Sequence, residues 1–224
     1  MDKKRYAIIL AGGMGVRVGG EKAKQFLEVG GKPILQLTIE NFSKVEPKLH
    51  LIVVVPKSYK EYWLEYCTNW DAKISHTIVE GGLTRFHSVK NALEFIEEES
   101  YVCVHDSVRP FADSDFISEI FDYLNQHKAV VPVISSPDSI REIKGKESFP
   151  VDRDKFVLVQ TPQAFHSELL IKAYQQPFKP SFTDDASVVE SIGEKIYLVE
   201  GKKLNFKITL PEDLLIANGL ITSF

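Results

Sequence analysis

Glycines and positively charged side chains stand together near the amino terminus, in a combination that suits phosphate binding. Residues 10–19 read LAGGMGVRVG, and Lys22 and Lys24 follow shortly after. The glycines at 12, 13 and 15 tolerate positive φ angles and let backbone N–H groups approach an anion, while Arg17 and the two lysines supply positive charge. The loop therefore has the composition of a phosphate cradle. A glycine turn with solvated charges is the alternative interpretation.

Two common phosphate-binding motifs do not fit this loop. A dinucleotide fingerprint built on Gly13 and Gly15 requires its third glycine where the chain has Val18. A P-loop ending at Gly20 requires a lysine next, where the chain has Glu21. The ligand of the loop has to be inferred from other parts of the sequence.

A carboxylate follows a strand signal farther along the chain. Asp106 follows the apolar run 101–104 with only His105 between them, so we expect it at the carboxyl end of a strand, where open α/β sheets bind ligands. A carboxylate beside a phosphate cradle is the hard oxygen ligand that Mg2+ prefers. Helix capping or an ion pair with Arg109 is the alternative role, and His105 receives no assignment.

A second glycine turn, Gly81-Gly82, also follows a strand signal. Paired glycines bring backbone groups close enough to contact the edge of a base, and Ser88 adds a hydroxyl that donates or accepts. Arg85 has either a phosphate or a neighbouring carboxylate as its expected partner. A tight turn without a ligand is an equally weighted alternative.

Two stretches near the carboxyl terminus also carry charged groups. Thr183-Asp184-Asp185-Ala186 is typical of a helix start, and capping is favoured over metal binding for its acids. Lys207 stands among apolar residues in a predicted strand before a helix that begins at Pro211. Because a buried ammonium requires an anion nearby, we expect a phosphate partner for this lysine.

These residues are connected by alternating strand and helix signals, which predict a doubly wound α/β domain with a mostly parallel sheet. Residues 135–154 interrupt the alternation with short strand signals around a glycine turn, which predicts a hairpin leaving the sheet, although a surface loop is possible. Predicted strands are 7–10, 49–55, 74–79, 101–104, 129–133 and 156–159, and predicted helices are 34–42, 89–96, 117–124 and 170–174.

Composition narrows the class of protein. The 224 residues carry a formal net charge of −4, which argues against a protein that coats nucleic acid, because such binding requires an extended basic surface. No segment approaches the roughly 20 apolar residues of a membrane span, so we expect no membrane partner. Cys67 and Cys103 have neither metal-type nor redox-type spacing, which favours a reduced, cytoplasmic setting.

Six motifs, in order along the chain, closely resemble the 2-C-methyl-D-erythritol 4-phosphate cytidylyltransferase family. The resemblance extends over nearly the whole chain and implies a single domain, 1–224, with a Rossmann-like, GT-A-like nucleotidyltransferase fold and a protruding β-arm. The motifs are Ala11-Gly12-Gly13-Met14-Gly15-Val16-Arg17 with Lys24-Gln25-Phe26, Gly81-Gly82 with Thr84-Arg85 and Ser88-Val89, and the segments 105–111, 160–165, 183–186 and 205–214.

The activity that this resemblance implies is the conversion of CTP and 2-C-methyl-D-erythritol 4-phosphate to a cytidine diphosphate alcohol and pyrophosphate. A substrate phosphate oxygen would attack the α-phosphorus of CTP in line, with Mg2+ or another divalent cation held by Asp106. The implied catalytic residues are Arg17, Lys24 and Lys207. The implied nucleotide-binding residues are Ala11, Gly12, Gly13, Gly15, Gly81, Gly82, Arg85 and Ser88, and the implied substrate-binding residues are Asp106, Arg109, Ser139, Arg153, Thr161 and Thr183. Lys22 matches no motif and is expected to be a solvated surface lysine.

In the family, an arm from a second subunit helps to bind the polyol phosphate. The resemblance places this arm at 135–155, with Ser139 and Arg153 as its contacts, and implies a homodimer that exchanges arms. Two positions depart from the family: Leu83 replaces a frequent acid, and Ser139 replaces a usual threonine.

Other functions remain open on sequence grounds. A ribitol-5-phosphate cytidylyltransferase would share the nucleotide-binding half, and a broader nucleotidyltransferase would use UTP, GTP or dTTP. A non-catalytic CTP-binding module is the alternative outside the enzymes, although it would be expected to have lost some of the charged residues.

Overall fold

The chain alternates strands and helices, as the apolar pattern predicts. The structure is a computed structural model and describes residues 3–13 and 23–221. Its strands are β1 (Arg5–Leu10), β2 (Glu28–Val29), β3 (Lys32–Pro33), β4 (His50–Val55), β5 (Thr77–Glu80), β6 (Tyr101–Asp106), β7 (Ala129–Ser135), β8 (Arg141–Lys144), β9 (Glu147–Pro150), β10 (Val157–Val159), β11 (Gln163–His166) and β12 (Tyr197–Glu200). Its α-helices are α1 (Ile34–Ser43), α2 (Lys60–Asn69), α3 (Arg85–Leu93), α4 (Ser114–Asp122), α5 (Ser167–Ala173), α6 (Asp185–Glu190) and α7 (Pro211–Ile221).

Eight of these strands form the central sheet, in the order β5-β4-β1-β6-β11-β7, with both β10 and β12 pairing with β7. β1, β4, β5 and β6 run parallel to one another, and β12 is parallel to β7. β10 and β11 run antiparallel to their neighbours. The mostly parallel sheet is therefore confirmed, with its antiparallel pairs confined to one half.

Helices cover both faces of the sheet. On one face, Phe42 of α1, Trp63 of α2 and Phe116 of α4 belong to one buried apolar cluster. On the other face, Phe86 of α3 and Leu170 of α5 belong to a second cluster. Alternate side chains of the parallel strands enter the two clusters, which explains why these strands are almost continuously apolar. This arrangement confirms the doubly wound prediction.

The hairpin predicted between residues 135 and 154 is present. β8 and β9 pair antiparallel, and every residue of the two strands is exposed. Gly145 lies in the turn between them with φ +63°, a left-handed conformation that glycine adopts without steric cost. The hairpin thus protrudes from the domain as an arm.

Several elements, among them α2, β11 and β12, were not predicted from the sequence, and the bounds of others shift; the helix predicted at 89–96, for example, is α3 at Arg85–Leu93. Two further differences concern predicted strands. The strand expected from residue 74 begins at Thr77, because Ile74 lies in the preceding loop, where its carbonyl contacts the His76 ring. The strand expected around Lys207 is absent: residues 205–209 have irregular backbone. None of the helices in the described ranges has the length and apolar character needed to cross a membrane.

Candidate active site

The two glycine turns lie side by side at the carboxyl edge of the parallel strands. The Ala11 N–H donates to the Val54 carbonyl at 2.8 Å, and the Gly81 N–H donates to the Val55 carbonyl at 2.8 Å. Each turn therefore extends the backbone pairing of its strand by one residue beyond the end of the strand. Because β1, β4 and β5 are adjacent and parallel, the turns that follow β1 and β5 are brought to one place.

Ser88 joins the two turns. Its hydroxyl accepts the Gly82 N–H at 3.0 Å, and a Cβ added to Gly12 would lie 3.2 Å from the same oxygen. A Cβ on Gly81 would lie 3.4 Å from the Gly12 Cα. The close approach of the turns, rather than a positive φ angle, is therefore what the site requires of glycine at these positions.

This corrects the expectation for the first loop. Gly12 and Gly13 do not have positive φ angles; the described glycines that do are at 30, 31, 145 and 193. Gly13 is exposed, and a Cβ there would meet no atom of the described residues within 4 Å. Gly15 and Arg17 lie outside the described residues, as does Lys22, so their roles stay predictions.

Gln25 fixes the start of the first loop, a role that sequence analysis did not assign. Its side chain is buried, and Nε2 donates to the Ala11 carbonyl at 2.5 Å and to the Gly13 carbonyl at 3.3 Å. Its neighbour Lys24 begins a short 3-10 turn and lies near Asp213. Burial by itself would raise the pKa of the Asp213 carboxyl, but hydrogen bonds from backbone N–H groups and the positive charge of Lys24 lower it.

Asp106 is the centre of a group of charged side chains at the same edge of the sheet. Oδ2 accepts from Lys207 Nζ at 2.7 Å, and Oδ1 accepts from Arg85 Nε at 3.4 Å. Burial alone would raise the pKa of the Asp106 carboxyl, but the Arg85 and Lys207 charges hold it well below its usual range. The carboxylate therefore stays ionised throughout the physiological pH range.

The position of Lys207 differs from the prediction. It lies in irregular backbone, its side chain is 43% exposed, and its partner in the described residues is the carboxylate of Asp106. The neighbouring Ile208 N–H donates to the Val108 carbonyl at 2.9 Å, which fixes this segment beside the loop after β6. An exposed lysine needs no buried anion, so the desolvation argument for a phosphate was wrong, although phosphate binding itself stays a prediction.

Thr161 connects β6 to the loop that precedes β11. Its hydroxyl oxygen accepts the Asp106 N–H at 3.1 Å and lies 3.1 Å from His105 Nδ1. His105 Nε2 lies 3.0 Å from the Arg109 carbonyl, which can only accept, so Nε2 carries the proton and Nδ1 accepts from Thr161. Burial lowers the pKa of His105 to about 4, consistent with this neutral ring.

Arg109 and Asn205 complete this side of the site. Arg109 donates from NH1 to the Asn205 carbonyl at 2.8 Å, and Asn205 donates from Nδ2 to the Thr161 carbonyl at 2.8 Å. Asn205 has zero exposure, and among the residues that the structure describes neither Arg109 Nε nor Asn205 Oδ1 has a hydrogen-bond partner. Asn205 therefore positions two predicted substrate-binding residues. Asn205 lies inside the motif 205–214, and this position was the signal that could have identified it from the sequence. A buried asparagine is expected to hydrogen-bond to its neighbours and so to hold them in place.

The remaining predicted substrate-binding residues lie outside this group. Thr183 is exposed and immediately precedes the capping residue of α6. Ser139 and Arg153 belong to the arm, where Arg153 NH1 donates to the Pro137 carbonyl at 2.7 Å. Across the described part of the chain, no hydrogen bond or ion pair joins either arm residue to the group around Asp106.

Comparison with known proteins identifies the family. The model for 2-C-methyl-D-erythritol 4-phosphate cytidylyltransferase matches residues 6–223. The chain belongs to this family. A cytidylyltransferase of that name from Bacteroides fragilis is 46% identical over 217 residues, which cover 97% of this chain and 99% of the relative. Another, from Clostridium beijerinckii, is 40% identical and covers 96% of this chain and 97% of its own length.

Solved structures of the cytidylyltransferase family share the fold. The crystal structure of 4-diphosphocytidyl-2C-methyl-D-erythritol synthase from Anaerococcus prevotii has a TM-score of 0.83 and 31% identity, covering 98% of this chain and 96% of that chain. The 2-C-methyl-D-erythritol 4-phosphate cytidylyltransferase of Thermus thermophilus has a TM-score of 0.80 and 31% identity, covering 99% of this chain and 100% of that chain. The fold predicted from the motifs is therefore confirmed.

The side chains around Asp106 do not fit the predicted role of this residue as a metal ligand. Both oxygens of the carboxylate are already engaged by Arg85 and Lys207, and two adjacent positive charges repel a divalent cation. Within residues 3–13 and 23–221, no cluster of three or more His, Cys, Asp or Glu side chains could hold a metal ion. The geometry instead favours Asp106 as the residue that orients two cationic side chains.

Proposed function

We propose that this chain transfers a cytidylyl group from CTP to 2-C-methyl-D-erythritol 4-phosphate. A phosphate oxygen of the polyol forms a bond to the α-phosphorus, and the bond from that phosphorus to the α,β-bridging oxygen breaks, so that pyrophosphate leaves with the electron pair. Membership of the family supports this reaction. The observation that carries it is the meeting of two glycine turns with the Asp106 group at one edge of the sheet.

The glycine turns are proposed to contact the nucleotide. Their closely spaced backbone groups around Gly12 and Gly81 can contact the base, and Ser88 holds the second turn in place through the Gly82 N–H. Leu83, which is 95% exposed beside this turn, has no polar side-chain group with which to contact the nucleotide. Base selection in this chain is therefore assigned to backbone groups rather than to the side chain at 83.

The charged residues are proposed to divide between the two substrates. Lys24, with Arg17 from the undescribed part of the loop, stabilises the negative charge that develops on the α-phosphate and the leaving pyrophosphate. Lys207 and Arg109 contact the polyol phosphate beside Thr161, and Thr183 is assigned to the same substrate from its exposed position before α6. Phosphoryl chemistry of this kind depends on positioning and charge stabilisation, because no covalent enzyme intermediate is required.

A divalent cation, Mg2+ or another, is proposed to accompany CTP rather than to reside on the protein. Phosphate oxygens are the ligands that Mg2+ prefers, and the carboxylate of Asp106 is already in contact with the side chains of Arg85 and Lys207. Mn2+ added to the protein without nucleotide should give the electron spin resonance signal of the free ion, and CTP should be required for its loss. Binding of Mn2+ to the protein alone would contradict this assignment.

The chain is proposed to act as a homodimer with exchanged arms. Ile143 and Phe149 of the arm are 77% and 43% exposed, and Leu158 of β10 is 50% exposed. A second copy of the chain would cover these apolar side chains and would bring the arm's Ser139 and Arg153 to the partner's site.

The cysteines at 67 and 103 are free thiols, which supports the proposed cytoplasmic location.

The deciding experiment is a mass measurement of the product. Purified protein is incubated with CTP, Mg2+ and either 2-C-methyl-D-erythritol 4-phosphate or ribitol 5-phosphate, and pyrophosphate release is followed in parallel. We expect 4-diphosphocytidyl-2-C-methyl-D-erythritol and faster turnover of the methylerythritol substrate. Faster turnover of ribitol 5-phosphate, or preference for UTP, GTP or dTTP, would overturn the specificity; CTP binding without turnover would show a non-catalytic module.

A further inference from the structure

One buried carboxylate has no place in the proposed mechanism. Asp185 has zero exposure, although it lies in the first turn of α6, where acids are usually solvated. Capping of this helix is performed by its neighbour: Asp184 Oδ1 accepts the Ser187 N–H at 2.9 Å, and the Ser187 hydroxyl lies 2.8 Å from the Asp184 carbonyl. The helix therefore does not require Asp185 as a cap.

Both oxygens of Asp185 are hydrogen-bonded. Oδ2 accepts from Arg85 NH2 at 2.7 Å, and Oδ1 accepts from the Tyr174 hydroxyl at 2.6 Å. Tyr174 is itself 2% exposed and stacks on Phe86 with ring centroids 4.6 Å apart. Burial, followed by the Asp185 charge, raises the pKa of Tyr174 well above its usual value, so the hydroxyl keeps the proton that it donates.

Arg85 carries this contact to the active site. Its NH2 contacts Asp185 while its Nε contacts Asp106 at 3.4 Å, so the guanidinium lies between two carboxylates. Burial opposes the charge of Arg85, but the two carboxylates raise its pKa above the usual value. With Lys207 on the other oxygen of Asp106, positive and negative groups alternate from the solvent to the buried Asp185.

We propose that Asp185, held by Tyr174, is a positioning residue for the polyol phosphate site. It anchors the guanidinium of Arg85, and Arg85 in turn fixes the Asp106 carboxylate so that Lys207 is presented to the substrate phosphate. The assignment rests on the proposed function, and it adds two buried residues to the site that contact neither substrate.

The physical reason lies in the competition of two cations for one carboxylate. The shorter contact of Arg85 is with Asp185, and the contact with Asp106 is 0.7 Å longer, from 2.7 to 3.4 Å. Without the buried carboxylate, the guanidinium would turn to Asp106 and form the bidentate pair that arginine prefers. Such a pair would occupy the oxygen that now accepts from Lys207, and the lysine would lose its fixed position.

The test is Asp185→Asn, with Asp184→Asn as the matched control. Both variants remove one negative charge at adjacent positions, and both weaken a side-chain hydrogen bond, because Asp184 Oδ2 accepts from Gln163 Nε2 at 2.9 Å. We expect Asp185→Asn to raise the KM for the polyol phosphate about tenfold, with kcat and the KM for CTP each changed less than about threefold. Asp184→Asn should change none of the three by more than about twofold.

A double variant distinguishes a positioning role of Asp185 from a general loosening of the structure around it. If Asp185 acts through Arg85, Arg85→Gln with Asp185→Asn should have the same KM for the polyol phosphate as Arg85→Gln alone. Independent, additive effects would overturn the proposal, as would equal increases in both KM values. Tyr174→Phe, which keeps the aromatic packing, should shift the same KM in the same direction by a smaller factor; no shift would contradict the role of its hydroxyl.

The wild-type protein distinguishes this inference from the proposed function. Absence of turnover by the wild type with CTP and any polyol phosphate would refute the function itself. Normal wild-type turnover with an unchanged KM for Asp185→Asn would refute only the positioning role.

Discussion

At the scale of single residues, adjacent side chains of β6 perform different tasks. His105 points into buried surroundings and stays neutral, whereas Asp106 ends the strand and stays ionised between two cations. Thr161 serves both, since one hydroxyl accepts the Asp106 N–H and donates to the His105 ring. Alternation of side chains along a strand produces this separation within two residues.

Protonation of His105 is expected to destabilise the fold in acid. Its folded pKa is about 4, because burial disfavours the charged ring, whereas an unfolded histidine titrates near about 6.5. The unfolded state therefore binds more protons in this window, and the free energy of unfolding should fall by roughly 3 kcal/mol as the pH drops through it. Urea unfolding between pH 7 and pH 5 measures the slope.

The matched variant for this measurement is His105→Gln. Its slope should be smaller than that of the wild type; His76, whose pKa burial also lowers, accounts for a residual slope. An unchanged slope in the variant would assign the acid sensitivity to other groups.

Among the residues that the structure describes, Lys24 has the most direct predicted role in catalysis. Lys24→Ala should lower kcat by about 10²- to 10³-fold, because it removes charge stabilisation that is needed in the transition state. Circular dichroism should be unchanged. Lys22→Ala is the control, since this nearby lysine is predicted to be solvated, and its kcat should match the wild type. Near-normal turnover of Lys24→Ala would remove the residue from the mechanism.

At the scale of elements, the arm contrasts with the rest of the domain. β8 and β9 are exposed along their whole length and pair only with each other in the described residues. Arg141 on β8 donates from Nε and NH2 to the hydroxyl and carbonyl oxygens of Ser148 across the hairpin, which holds the two strands together. The hairpin is thus held together by its own contacts while it projects from the domain.

Arg153→Ala tests the function of the arm. We expect a rise of about tenfold in the KM for the polyol phosphate with little change in the KM for CTP, because the arginine is predicted to contact only the former. Lys155→Ala, which removes a positive charge two residues away, should behave like the wild type. Equal weakening of both substrates by Arg153→Ala would contradict this division between arm and domain.

At the scale of the whole molecule, the parallel half of the sheet assembles the site. β1, β5 and β6 end at one edge, so residues about 95 positions apart in the chain, such as Ala11 and Asp106, lie in one region. The two apolar clusters on the faces of the sheet hold these strand ends in register.

The opposite edge carries a separate cavity of about 510 Å³ lined by Tyr6, His50 and Phe95, among others, which is remote from this site.

Arm exchange between subunits predicts complementation of two impaired variants, measured at a polyol phosphate concentration well below the KM, where Arg153→Ala is also slow. Lys24→Ala and Arg153→Ala chains are co-expressed with different tags, and the mixed dimer is isolated. One of its two sites would combine an intact Lys24 with an intact partner arm, so activity should recover to about half that of the wild type. No recovery in a verified mixed dimer would show that each arm serves its own subunit.

The sequence by itself determined the class of fold and the edge of the sheet at which the site lies. Apolar runs separated by amphipathic helices require a sheet covered on both faces. The glycine turns follow strands directly and Asp106 is the last residue of a strand, so their place depended only on local order along the chain. The capping of α6 was predictable for the same reason, since a cap is a contact over three residues.

Only the tertiary structure decided the partners of the charged groups. Lys207 lies against Asp106, 101 positions away, and Arg85 lies against Asp185, 100 positions away. The burial of Asp185 beside an exposed Thr183 likewise depends on the packing of α5 and α6, not on local sequence. Charge pairing acts through space, whereas sequence patterns report only neighbours along the chain, and this difference explains why the sequence did not show that the Asp106 carboxylate contacts Arg85 and Lys207.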